Sequence, residues 1–164
     1  MSVLAENMAV QSAGILLYRR RNGIGEVFLI HPGGPYWAKK DMNAWSVPKG
    51  IVGEGEDPLL AARREFQEET GFEMNGEFLP LGTFRQPSGK QLSVWAIEGD
   101  ADPARLVSNS FEMIWPPKSG RMRQFPEADR SAWFSRAQAQ AKIVKGQKPI
   151  LHKLFQMIGP DDGT

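Results

Sequence analysis

The chain contains no cysteine. That excludes disulfides and thiolate metal sites, so any bound metal must be held by oxygen or imidazole. Imidazole is scarce as well: there are only two histidines, His31 and His152, and neither stands at ligand-like spacing from another candidate. Both are expected on the surface or in packing. Charge excess is also missing, with 20 basic and 19 acidic residues and a net charge of +1. A broad nucleic-acid footprint needs a basic excess or stripe, so no polymeric nucleic acid is expected as partner. No apolar run approaches the length of a membrane span, so no membrane partner is expected. The first ten residues, MSVLAENMAV, carry no basic region before their apolar residues and do not resemble a secretion signal. A cytoplasmic protein is expected. The 164 residues, 41% of them hydrophobic, suffice for one domain with a sizeable core, expected over 1–164 with its ordered part at about 9–158.

What is present is concentrated in one run, Gly50 to Phe72, GIVGEGEDPLLAARREFQEETGF. Asp57 is placed as an N-cap, Pro58 as the first helical residue and Gly71 as the stop. The helix predicted over Pro58–Thr70 then carries Glu65, Glu68 and Glu69 near its C-terminal end. The macrodipole is negative there and favours cations. Glu65–Glu68 and Glu65–Glu69 are also like-charge pairs at helical spacing, each costing a few tenths of a kcal/mol. The three acids share roughly one third of the helix circumference at about 100° per residue. Leu59, Leu60, Arg63 and Phe66 lie mostly elsewhere, which predicts an apolar side for packing and an acid side facing a cleft. A helix that gathers negative charge at its negative end is most simply explained by a bound cation, and carboxylates suit Mg²⁺ or Mn²⁺ better than zinc.

The run resembles, position for position, the signature of the Nudix hydrolases, carried here by Gly50, Glu56, Arg64, Glu65, Phe66, Glu68, Glu69, Gly71 and Phe72. Phe66 and Phe72 stand where the family more often has an aliphatic residue. The resemblance implies a metal-dependent hydrolase of phosphoanhydride bonds. It implies that Glu65, Glu68, Glu69 and the Gly50 carbonyl ligate the metal, Mg²⁺ or Mn²⁺. It assigns Arg64 and Glu56 as a supporting catalytic pair. Proton removal from the attacking water is left open among Glu65 and Glu69 within the run and Glu98, Glu112 and Glu127 outside it. Beyond the run, HPGGPYWAKK, WSVPKG, FEMIWPPKSG and FPEADRSAWF resemble a bacterial group of Nudix proteins expected to hydrolyse nucleotides.

Strands are predicted at Ser12–Tyr18, Val27–Ile30, Trp45–Val47, Glu77–Arg85, Leu92–Ile97 and Phe111–Trp115. An Asn22-Gly23 turn joins the first two, with Arg19, Arg20 and Arg21 on a solvated hairpin edge. His31–Tyr36 is expected to be irregular, Pro116–Pro126 a basic loop, and Trp133-Phe134 the start of a last segment with helices at about 136–145 and 149–158. This is an α/β (α+β) pattern. The family resemblance sharpens it to the Nudix fold, a mixed central sheet sandwiched between helices with the signature as a catalytic loop–helix–loop.

Substrate contacts are expected outside the signature. Lys49 adjoins Gly50 and is suited to hold a phosphate. Tyr36 and Trp37 offer stacking surfaces for a base, with Lys39 and Lys40 for phosphates. Arg85 opens a second basic loop, RQPSGK, and Lys118, Arg121 and Arg123 lie in a third. WSVPKG resembles the segment before the signature in enzymes of diadenosine polyphosphates. The expected substrate is therefore a nucleoside polyphosphate, with diadenosine tetraphosphate favoured. The alternatives are a nucleoside triphosphate pyrophosphatase, for example of oxidised guanine nucleotides, and a nucleotide-sensing module without turnover. The expected partner is the small nucleotide alone, and the protein a monomer or homodimer.

Overall fold

The structure, a computed structural model, describes residues 10–161. The loose terminus expected at residues 1–8 lies outside them. β1 (Gln11–Arg21) and β2 (Ile24–Pro32) form an antiparallel hairpin. Its turn residues Asn22 and Gly23 both take positive φ, 54° and 78°, as a tight two-residue hairpin turn requires. β3 (Lys49–Ile51) pairs antiparallel with β1. The signature helix, α1, spans Pro58–Thr70. β4 (Leu79–Arg85), β5 (Gln91–Glu98) and β8 (Ala128–Ser135) complete a six-stranded sheet of order β4-β5-β1-β2-β8, with β3 beside β1. β1 and β5 run parallel and all other pairs antiparallel. β6 (Ser110–Ile114) and β7 (Met122–Pro126) form a separate two-stranded ribbon. Two helices close the described chain, α2 (Arg136–Lys142) and α3 (Lys148–Ile158).

β1 is buried from Ser12 to Tyr18 because it is covered on both faces. Alternate residues go to opposite sides of a strand. Ala13, Ile15 and Leu17, with Phe28 and Ile30, pack against Ala61, Ala62 and Phe66 of α1. Leu16 and Tyr18, with Val27 and Leu29, pack against Ile150, Leu151, Leu154 and Phe155 of α3. The result is a helix–sheet–helix sandwich, the mixed α+β arrangement expected.

Several expectations are corrected. Trp45 and Ser46 make only isolated bridges, and the strand comes later, at Lys49–Ile51. β2 runs on through His31 and Pro32, with a register shift there that accommodates the proline. The second half of the expected 116–126 loop is strand β7, which has no apolar alternation because its ribbon stands apart from the main sheet. Trp133 and Phe134 lie inside β8, an edge strand whose Asp129 and Arg130 made it resemble a loop. Arg19 is not solvated: it pairs with Glu26 at 2.8 Å and Asp100 at 2.7 Å, and its guanidinium lies 4.1 Å from the centre of the Trp133 ring. Leu60, placed with the packing residues of α1, is exposed, and Ala61 and Ala62 do the packing.

The ends of α1 follow from its sequence. The Asp57 side chain accepts the Leu60 N–H at 3.1 Å, and Gly71 closes the helix in the left-handed conformation at φ 78°. Removing that cap in Asp57→Ala should lower stability by about 1 kcal/mol, read as a shifted urea midpoint with unchanged slope.

Candidate active site

The register of β3 on β1 sets Gly50 opposite Ala13 and Lys49 opposite Gly14. α1 packs on the same face, so its acid side lies against β3. Gly50 and Glu65 touch so closely that a Cβ at position 50 would fall 1.9 Å from the Glu65 carboxyl carbon. Only glycine permits this approach. Glu69 lies one residue along β3, accepting the Lys49 N–H at 3.1 Å.

Arg64 is the hub of the acids. Its Nε and Nη2 donate to the two oxygens of Glu56 at 2.8 and 2.9 Å, a bidentate pair. Its Nη1 donates to Glu65 at 2.9 Å and to Glu68 at 3.2 Å, and its Nη2 also reaches the Ile51 carbonyl at 3.2 Å. Glu56 additionally accepts the Gly53 N–H at 2.9 Å. The Arg64 hydrogen bonds, with that backbone N–H, hold the Glu56 carboxyl down to about 2. The same contact, Glu56 first, pushes the Arg64 guanidinium further up.

Glu65 and Glu69 behave oppositely. Burial is the largest influence on both and raises both; Glu69 reaches about 8 despite the Lys49 N–H and the Lys49 charge pulling it down. The Glu65 and Glu127 carboxylates add to the rise at Glu69. Two desolvated acids beside a backbone carbonyl are short of positive charge, a shortage that a cation would relieve. Among the described residues, no three acids converge closely enough to hold one ion as they stand. Glu65 and Glu68 are turned onto Arg64 and Glu69 onto the Lys49 N–H. In kind, though, the donors fit a small hard cation: all are oxygen, and Gly50 leaves its carbonyl open to approach. Binding would require Glu65 and Glu68 to rotate from Arg64 toward the ion.

A recess of about 400 Å³ is lined by Tyr36, Trp37, Phe111, Met113 and Glu127. The Glu127 N–H donates to the Asn109 carbonyl at 2.7 Å and the Asn109 N–H to the Glu68 carbonyl at 2.8 Å, which sets the recess beside the acids. Tyr36 meets the Trp115 ring edge-on at 5.2 Å, and the Lys40 ammonium lies 5.0 Å over the Trp37 ring. Tyr36 is 58% exposed and Trp37 36%, so both rings have faces to offer. The recess floor is fixed by the Gly33 N–H donating to the Glu127 carbonyl at 2.9 Å.

A family model described as the NUDIX domain matches residues 8–154. The chain belongs to the Nudix family. Among curated relatives, it is 31% identical over 134 residues to an 8-oxo-(d)GTP phosphatase of Mycolicibacterium smegmatis, covering 73% of this chain and 38% of that protein. It is 34% identical over 85 residues to a bis(5'-nucleosyl)-tetraphosphatase of Rattus norvegicus, covering 48% of this chain and 53% of that one. The matches thus span well under two thirds of either relative. In fold it resembles a C. elegans Ap4A hydrolase, with TM-score 0.64, 21% identity, and coverage of 90% and 97% of the two chains. Nudix hydrolases act on phosphoanhydride bonds and generally use divalent metal ions.

In this Nudix chain the fold brings Gly50, Glu56, Arg64, Glu65, Glu68 and Glu69 into one cleft, with Lys49 at its edge. Tyr36 and Trp37 line the recess, and Lys39 is exposed on the same loop. Arg85 is not brought in: it ends β4, three strands from β3, roughly 14 Å away at the usual strand spacing. Of the three later acids, Glu98 lies with the Arg19–Arg21 segment at another groove, and Glu112 accepts from Gln124 on the ribbon at 3.4 Å. Glu127 alone of the three lines the recess. His31 is a packing residue, fully buried. Its Nδ1 contacts Asp129 at 2.8 Å and its Nε2 the Lys40 carbonyl at 2.5 Å, which ties the end of the Tyr36–Trp37 loop to β8. No spacing in the sequence signals that role, because Asp129 is 98 residues away.

Proposed function

We propose that this single Nudix domain is a divalent-metal-dependent pyrophosphohydrolase of a nucleoside polyphosphate. The supporting observation is the pair of desolvated acids, Glu65 and Glu69, lodged against Gly50 and Lys49 beside an aromatic recess of about 400 Å³. In this reading the Gly50 carbonyl, Glu65, Glu68 and Glu69 hold Mg²⁺ or Mn²⁺. Such an ion neutralises a diphosphate and lowers the pKa of a bound water. Arg64, anchored by Glu56, keeps Glu65 and Glu68 at the cleft. Glu69, which accepts the Lys49 N–H, and Glu65, lodged against Gly50, are the acids suited by position to take the proton of the attacking water. Lys49 and Lys39 hold phosphate oxygens, and Tyr36 and Trp37 stack a base. The protein acts in the cytoplasm as a monomer or homodimer. Among the described residues no helix is long and apolar enough to cross a membrane.

Within that class the dinucleoside polyphosphate reading is favoured by the WSVPKG segment and by similarity to proteins named for that activity. A nucleoside triphosphate reading has one observation of its own, an acidic residue, Glu127, in the lining of an otherwise largely apolar recess. Incubation with Mg²⁺ and either dinucleoside tetraphosphates or nucleoside triphosphates, with products resolved by anion exchange, separates the two. The favoured reading expects a triphosphate plus a monophosphate from the dinucleotide, at higher kcat/KM than any triphosphate gives. The opposite order of kcat/KM would shift the assignment to triphosphates. Tight binding without turnover would leave a sensing module.

A further inference from the structure

The recess combines apolar rings with an acidic residue. Tyr36 and Trp37 come from the loop after β2, Phe111 and Met113 from the ribbon, and Glu127 from the link between ribbon and β8. Phe111 and Met113 are two residues apart on β6 and so face the same side of the ribbon. Rings and thioether make a slot for a flat apolar body. Glu127 is exposed, so its carboxylate has no core to sit in, and its N–H joins it through Asn109 to the Glu68 carbonyl of α1. The slot and the acids of α1 are therefore neighbours.

A carboxylate only accepts hydrogen bonds. It offers two acceptor oxygens side by side, and so selects a base edge with two adjacent donors. Guanine has that edge, its N1–H and exocyclic amine. Adenine presents one amine beside the N1 lone pair, which a carboxylate repels. Cytosine likewise sets one amine beside an acceptor, and uracil flanks its single N–H with two carbonyls. We propose that the recess is a guanine site in which Tyr36 and Trp37 hold the base and Glu127 reads its Watson–Crick edge. This rests on the nucleotide reading of the site and replaces adenine by guanine within it.

The test uses Glu127→Gln in the full chain. Gln keeps the length and trades one acceptor for a donor, which matches adenine's amine and N1 as the carboxylate matches guanine. The position is exposed, so folding should be unaffected. Two readouts are taken on wild type and variant. The first is binding of GMP and AMP without metal, followed by tryptophan fluorescence. The second is kcat/KM for guanine and adenine dinucleoside tetraphosphates with Mg²⁺. The expected wild-type preference for guanine is roughly 5- to 150-fold, the span of one bidentate base contact, and the variant should reverse it. An unchanged guanine-to-adenine ratio in the variant, equal or absent binding of both monophosphates, or an equal loss of turnover on both dinucleotides would overturn the proposal. Preferential GMP binding without hydrolysis of either dinucleotide would support the guanine site while rejecting the hydrolase reading.

Discussion

Replacing Glu69 by Gln is expected to abolish turnover and, at the same time, to stabilise the metal-free protein at alkaline pH. The first effect is the loss of a proposed metal ligand and proton acceptor, on the order of 10²- to 10⁴-fold in kcat. The second follows from the site's electrostatics. Burial raises the Glu69 carboxyl from an ordinary 4.5 to about 8 in the folded, metal-free protein. Between those values the folded state keeps a proton that the unfolded chain has released. Stability therefore falls as pH rises through this window, being fully present below about 4.5 and lost above about 8. Because water reaches the half-buried acid, the loss is on the order of 2–4 kcal/mol rather than the full shift. Glu65, also raised by burial, adds in the same direction. Gln carries no charge and removes the slope. In EDTA at pH 8.5 the variant should melt roughly 5–10 °C above wild type. At pH 5 the two should melt together. Glu56, Asp41 and Asp100, whose carboxyls are held low, lose their contribution only at more acidic pH and leave this window untouched. Wild type melting at the same temperature at pH 5 and 8.5, both in EDTA, would contradict the burial of Glu69.

Gly50→Ala is expected to separate activity from stability in a different way. The new Cβ would lie 1.9 Å from the Glu65 carboxyl carbon and 2.1 and 2.3 Å from its oxygens. The obstructed atoms are the far end of a flexible side chain, so Glu65 can swing aside without disturbing the core. Melting should change little, by about 1 kcal/mol or less. The carboxylate that leaves is one of the proposed ligands, and a displacement of an ångström or more in such a site costs about 10²-fold. The check is a pair of measurements, the denaturation midpoint and kcat with Mg²⁺. A variant with wild-type kcat would remove the Gly50–Glu65 contact from the mechanism. A variant that fails to fold would show that the contact serves packing instead.

The signature was legible because it contradicts its own local physics. Capped by Asp57 and Gly71, α1 concentrates acids where the dipole and their mutual repulsion disfavour them, and that conflict points to a function. Pattern also announced α3, whose Ile150, Leu151, Leu154 and Phe155 are buried. β8 was not legible. It is an edge strand, and its polar Asp129 and Arg130 resemble a loop until His31 and Trp45 are seen beside them. The 116–126 segment misled for a related reason, since a ribbon outside the core needs no apolar alternation. The recess was least accessible to sequence. Tyr36 and Trp37 are stacking candidates by residue type, but their companions Phe111, Met113 and Glu127 lie more than 70 residues along the chain. Only the ribbon's return to β8 brings them together. Arg85 shows the converse: it suits a polyphosphate in sequence, yet it ends β4, three strands from β3.

The acids around Gly50 are proposed to make a metal-dependent hydrolytic site. Its most direct test is turnover of a dinucleoside tetraphosphate by wild type and Glu69→Gln, each with Mg²⁺ and with EDTA, alongside Mn²⁺ binding followed by electron paramagnetic resonance. The expected result is turnover in wild type with Mg²⁺ alone, with bound Mn²⁺ in wild type and weakened binding in the variant. Turnover that persists in EDTA, or that survives Glu69→Gln with Mn²⁺ binding unchanged, would contradict it.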